Sequence, residues 1–318
     1  MGGVLAHEKW FTNARPDADW SFAADPATLA FLGGAVALAV AWRLAARRIR
    51  GPEVPFLAPL GRLSPWIPRL LAIHAGVSLL AQSVRGTYLA PGLDLPEGGF
   101  GIALAIVEGL LGVWLVSGVE IRWAAALLVL AGPLGMLAYG PVAILERADL
   151  LGIALFLAVL PPGPDRYGAA TGDDRRVLWA AFYLRVMVGG SLIVLAFSEK
   201  LANPDLALGF LDRYPALNLF DAVGVSVADE TFVRFAGAVE VLFGLLLISG
   251  AMPQAAVVVA GVPFNATLFF FGVSELIGHL PVYGAMLVLL VYGSDPRLAP
   301  LVPVLNPWRR ERALRSPP

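Results

Sequence analysis

The chain has 318 residues, 58% of them hydrophobic and only 15% charged, with a net charge of −1 and a mean hydropathy of +0.74. This composition fits a polytopic membrane protein surrounded by a lipid bilayer rather than a soluble domain. The absence of cysteine excludes disulfides, thiolate redox chemistry and iron–sulfur ligation on this chain, and the near-neutral balance offers no basic field for nucleic acid.

Residues 1–26 are polar and aromatic. They lack a basic segment running directly into an apolar one, which predicts no cleavable leader. Apolar stretches then predict helices near 27–42, 66–88, 100–118, 122–140, 149–161, 177–199, 231–250, 254–272 and 280–293. Each is near or somewhat below the roughly 20 residues that cross a bilayer. The expected fold is therefore all-α, a polytopic membrane protein with about nine spans. With the N-terminus outside, the inner segments hold fifteen Lys and Arg and the outer ones seven. That bias predicts an N-out, C-in orientation.

An internal similarity runs at an offset of 132 residues. Glu108, Gly112, Ser117, Gly118, Gly140 and Gly152 recur as Glu240, Gly244, Ser249, Gly250, Gly272 and Gly284. The preceding helices align less tightly, with Arg69 against Arg185 and Gln82–Arg85 near Ser198–Leu201. The pattern predicts two parallel four-helix repeats plus one extra N-terminal helix. The chain divides into an N-terminal segment, first helix and basic linker (1–65), a first repeat (66–162), and a linker, second repeat and basic tail (163–318). Sites in such proteins favour the seam between repeats. Matched Gly or Pro breaks in mid-span, a mark of transporters, are not evident: Pro133 and Pro263 lie near one another in the repeat but are not aligned.

Several charged residues fall inside or beside the spans. Only two lysines occur, Lys9 in His7-Glu8-Lys9-Trp10-Phe11 and Lys200 in Phe197-Ser198-Glu199-Lys200-Leu201. Arg185 lies on one helical stripe with Gly189, Leu192, Ala196 and Glu199. A charge within a span is costly, so Arg185 faces the bundle, where it can bind a ligand or hydrogen-bond to helix ends. Glu240 and Glu108 fall mid-span in equivalent helices. Gly237 and Gly244 give Glu240 a close-packing face, and its carboxyl can exchange protons or hold two helices together. Glu275 and His279 are four residues apart ahead of the last span, at the outer surface, where His279 can relay protons. With His7 and Glu8 they could reach a metal only if the N-terminal segment folds over the outer face. Two ligands alone are a weak metal signal, so no metal site is assigned. His74 is the one histidine inside a span, which disfavours a bis-histidine haem. The loop 200–230 carries aromatic residues suited to packing on the membrane surface.

The second repeat resembles the DoxX family of small four-helix membrane proteins. Arg185, Gly189, Phe197, Lys200, Leu201 and Pro204 are similar to its first-helix pattern, and Gly237, Glu240, Gly244, Leu247 and Gly250 to its second. The match covers roughly 177–293. The first repeat is a degenerate version, with Arg85 near the lysine position and Glu108 at the glutamate. The resemblance implies a compact bundle in a prokaryotic cytoplasmic membrane, linked to quinone oxidation as in the small subunit of thiosulfate:quinone oxidoreductase, or an accessory protein of redox partner proteins. A quinone head group requires a cation and a proton-exchanging acid beside an apolar slot. Lys200, Glu199, Glu240 and His279 are the candidate catalytic residues, and Arg185, Glu108, Arg85 and Glu275 the candidate cofactor-binding ones. The alternative is a non-enzymatic transporter or scaffold, in which the Glu–Lys pairs are gates or structural pairs.

Overall fold

The computed structural model describes residues 8–11, 16–48, 53–163, 173–222 and 224–315. A 3-10 turn (Glu8–Trp10) precedes α1 (Trp20–Ala24) and α2 (Pro26–Ala46). A 3-10 stretch (Pro55–Trp66) leads into α3 (Ile67–Arg85), followed by α4 (Gly99–Ser117), α5 (Ile121–Leu145) and α6 (Ala148–Val159). Next come α7 (Asp174–Leu195), extended by a π-helical turn (Ala196–Leu201), then α8 (Pro204–Arg213), α9 (Leu219–Ala222), α10 (Asp229–Ser249), α11 (Pro253–Ala266), α12 (Leu268–Ser294) and α13 (Pro307–Arg315). Among the described residues the one extended pairing is an isolated bridge between Thr87 and Asp94.

Seven helical segments are long and apolar enough to cross a membrane: α2, α3 with its 3-10 lead, α4, α5, α7 with its π turn, α10 and α12. The protein is accordingly read as an integral membrane protein. The stretches expected as spans at 149–161 and 254–272 form helices of 12 and 14 residues, α6 and α11. They are short because their neighbours take up the apolar residues beside them. Helix α5 runs on to Leu145 and α12 starts at Leu268.

Both long neighbours are broken by glycine. Gly140 in α5 (φ 78°, ψ 168°) and Gly272 in α12 (φ 60°, ψ −136°) leave helical geometry, in backbone that only glycine adopts readily. These two positions are 132 residues apart, so matched breaks exist after all. Proline drew attention to Pro133 and Pro263, which instead sit inside α5 and α11.

The ends of α4 and α10, which keep the 132-residue offset, are capped alike, although the arginines that cap them are 116 residues apart. Arg69 donates to the carbonyls of Leu115 (2.9 Å) and Val116 at the end of α4. Arg185 donates to those of Leu247 (2.7 Å) and Ile248 (2.9 Å) at the end of α10. Each guanidinium thus satisfies carbonyls that a helix end leaves bare. The following Gly118 (φ 80°) and Gly250 (φ 66°) are left-handed, and a Cβ at either would press on the arginine beside it. Close approach pairs Gly76 with Gly112 between α3 and α4, and Gly189 with Gly244 between α7 and α10. In lipid, packing of this kind supplies the attraction that water supplies to soluble cores.

Further glycine contacts join α6 to α7 and α12 to α3. Gly152 of α6 lies against Leu184 and Met187 of α7, and Gly284 of α12 lies against Leu71 and His74 of α3. The largest apolar cluster spans these contacts, with Leu71, Ile153, Phe156, Leu184, Val288 and Tyr292 all buried. Helix α2 stands outside, with Ala35 and Ala39 the apolar side chains it buries. The segment after Lys200 packs as α8, a 3-10 turn and α9, burying Phe210, Leu211 and Leu217 with Phe232.

Candidate functional site

The π turn is where α7 stops being an ordinary helix. Ala202 N–H reaches back five residues to Phe197 O (2.8 Å), and the widened turn buries Glu199, Lys200 and Leu201 together. Such turns recur at functional sites because they re-aim side chains inside a helix. Lys200 Nζ lies 3.0 Å from Glu240 Oε1 and 3.3 Å from Glu8 Oε1, with all three side chains 5–6% exposed. Glu240 is brought to it by α10, where Gly237 leaves room for Leu201. Glu8 comes from the opposite end of the chain, and its backbone N–H donates to Glu199 Oε2 (3.1 Å). Lys200, Glu199 and Glu240 are therefore one cluster.

The N-terminal turn also reaches the other half. Lys9 pairs with Glu146 between α5 and α6, and Ser191 Oγ of α7 donates to Glu146 O (2.6 Å). Trp10 meets both Arg147, whose guanidinium is 5.2 Å from the indole centroid, and His279, whose ring centroid is 4.8 Å away. Arg147 and His279 are 132 residues apart, the offset that also separates Gly140 from Gly272. Gly278 leaves space for the indole, and Gly92 lies against the Lys9 backbone. Phe11 stacks on Phe271 at 4.2 Å, and Arg213 donates to Phe11 O (3.2 Å).

Glu275 and His279 share a face of α12, with His279 Nδ1 3.4 Å from Glu275 Oε1. They were expected at the outer surface, ahead of the last span. Instead both lie inside α12, which begins before them and continues through the Gly272 break, and both are buried among protein neighbours. On its other side His279 meets Phe264 (4.3 Å). Phe264 also lines a narrow apolar cavity with Leu192, Phe243 and Met286.

The charge balance defines the site's chemistry. Five buried carboxyl groups (Glu8, Glu146, Glu199, Glu240 and Glu275) stand against three permanent cations (Lys9, Lys200 and Arg147), with His279 beside them. A low-dielectric site with more acids than bases retains protons. Burial pushes the Glu8 carboxyl up to about 8, helped by Glu199 and Glu240 and opposed most strongly by Lys200. Burial likewise raises Glu146, Glu199 adds to it, and Lys9 pulls it back. The cluster can hold a proton near neutral pH and pass it on. Among the described residues no three His, Cys, Asp or Glu side chains are grouped to take a metal; His7 lies outside the described residues.

Three predicted residues stand apart. Arg185 is 15 residues before Lys200, about 22 Å along the helix, and is committed to carbonyls, including Val304 O (2.9 Å). Glu108 is buried in the first half, where Leu89 N–H donates to it (2.7 Å). Arg85 is exposed at the end of α3. Sequence reasoning missed Glu146 and Arg147, which read as an ordinary turn between spans. It also gave Lys9 too little weight, although Lys9 is one of only two lysines. Asp149, also buried, was not singled out either.

Comparison with protein-family models, with characterised proteins and with solved structures gives no match to this chain.

Proposed function

We propose that this chain is a DoxX-like subunit or accessory protein of a quinone-linked membrane oxidoreductase, with the Lys200 cluster as the proton-exchanging end of its quinone site. The observation that carries this reading is the seat that Trp10 occupies against both Arg147 and His279. A planar ring, the indole of Trp10, fills it now, with the Lys200, Glu8 and Glu240 cluster nearby and an apolar cavity beyond Phe264. A quinone head group asks for the same surroundings: a flat slot, a cation, an acid and an apolar channel for its tail. A bound quinone would supply the two-electron, two-proton chemistry. Lys200 orients, Glu240 and Glu199 hold protons, and His279 relays them toward Glu275. Glu8, Lys9 and Trp10 close the slot. Arg185 and Glu108 act in this reading as positioning residues rather than ligands, and Arg85 contributes nothing visible.

The reading includes an architecture. Two parallel four-helix repeats, built from α3–α6 and α7 with α10–α12, meet where α6 joins α7 and α12 joins α3, with α2 added outside; nine crossings place the N-terminus out and the C-terminus in. Matched arginine caps, glycine contacts and glycine breaks support it. The experiment is organic extraction of the purified protein followed by mass spectrometry. Quinone recovered from wild type and lost from Lys200→Ala supports the proposal. Absence of quinone, together with no change in melting temperature on adding quinol, sinks it.

A second reading, a proton-coupled transporter, is favoured by the paired breaks at Gly140 and Gly272 and by the cluster's place at the seam. Proteoliposomes loaded with a pH-sensitive dye separate the two. Proton movement without any electron donor or acceptor selects the transporter.

A further inference from the structure

At the end of the bundle away from Lys200 lies a pocket of about 640 Å³, bounded by α2, the start of α11 and the end of α12. Its basic wall is Arg43 and Arg47. Arg43 is fixed by one nitrogen, Nη1, which donates to Ser249 O (2.6 Å) and Pro303 O (3.4 Å). Its remaining nitrogens have no partner among the described residues, and nor does the Arg47 guanidinium. Both arginines line the pocket.

The acid in the pocket does not neutralise them. Glu53 Oε2 accepts from Gln254 N (2.9 Å) and Ala255 N (3.4 Å), capping the first turn of α11. Apart from Ser294, the rest of the wall is apolar, from Ala46 and Ala58 to Pro296 and Pro300. The pocket sits where the apolar run of α2 ends, the depth at which lipid headgroups lie. There the Trp42 indole donates to Ala251 O (2.8 Å), in the manner of interfacial tryptophans. Two guanidinium groups that form no ion pair among the described residues, above a largely apolar wall at headgroup depth, fit one kind of ligand. Guanidinium binds phosphate oxygens in pairs, and basic pockets between membrane helices hold anionic headgroups.

We propose that this pocket binds the phosphate of an anionic phospholipid through Arg47 and the outward nitrogens of Arg43, with the glycerol and upper acyl chain against the alanine and proline wall. The site does not depend on the quinone reading. Arg43 also fastens α2 to the end of α10, so Arg47→Gln is the informative variant, and Arg48→Gln, exposed and outside the pocket, is its control. The full-length protein in detergent is titrated with phosphatidylglycerol, phosphatidylcholine or inorganic phosphate while its melting temperature is followed. Phosphatidylglycerol should stabilise wild type and Arg48→Gln. Arg47→Gln should need about tenfold more of it, the loss expected for a charged hydrogen bond. Equal stabilisation by phosphatidylcholine, an unaffected Arg47→Gln, or an equal response to inorganic phosphate alone would each overturn the proposal.

Discussion

Glu108 and Glu240 occupy matching positions in α4 and α10, both buried, yet they have different partners. Glu240 faces the ammonium of Lys200 at 3.0 Å. Glu108 accepts a backbone N–H from Leu89 at 2.7 Å. The difference begins in the preceding helix. Helix α3 stops at Gly86 (φ 76°) and folds back, placing Leu89 at φ 60° so that its N–H meets the carboxyl. Helix α7 instead runs on through a π turn and delivers Lys200. One buried glutamate is tied into a loop by a neutral donor. The other belongs to an ionic network that also ties down the N-terminal segment.

The sharpest way to break this comparison is to remove the ammonium. Lys200→Ala leaves Glu8, Glu199 and Glu240 together without their cation, and should destabilise the protein by roughly 3–5 kcal/mol. Thermal unfolding in detergent checks it; a loss below about 1 kcal/mol, the worth of an exposed pair, would contradict the account. Next in size is a pair of isosteric changes. Glu240→Gln should lower stability clearly and alter proton exchange. Glu108→Gln keeps the oxygen that accepts from Leu89 and should be nearly neutral, whereas Glu108→Leu orphans that N–H at a cost of about 1–3 kcal/mol. Equal effects of the two glutamine variants would erase the distinction between the halves.

A pH series sharpens it further. Glu8 holds its proton more tightly in the folded protein than at its ordinary value of 4.5, up to about 8. Its contribution is therefore fully present below 4.5 and is lost as pH rises through about 8. The melting temperature of wild type should fall between pH 6 and pH 9, and Glu8→Gln should flatten that fall. The smallest effect concerns orientation and leaves stability almost untouched. Single cysteines at Asp205 and Arg175, in a chain that has none of its own, should react with impermeant thiol reagents from opposite sides, Asp205 from outside.

Much of this was legible in advance. All-helical membrane character follows from composition, and Lys200 with Glu240 emerged from the internal similarity and the family resemblance. Burial of Arg185 followed from the cost of a charge in lipid, and it serves a helix end. The rest depended on contacts that local sequence does not encode. Nothing near Lys9 announces Glu146, 137 residues away, and nothing near Trp10 announces Arg147 and His279. Gly140 and Gly272 already recur at the 132-residue offset, but as two of 34 glycines they did not read as breaks until their backbone angles were seen. Glu275 and His279 were set ahead of the last span, whereas α12 begins at Leu268 and carries both.

The central claim is that Trp10 fills a slot built for a planar head group beside Lys200, and the most direct measurement is binding of a short-tailed quinone to Trp10→Ala. Titration calorimetry should show tighter binding by Trp10→Ala than by wild type, and loss of that binding when Lys200→Ala is added. Binding unchanged by removal of the indole, or indifferent to Lys200, would contradict the account.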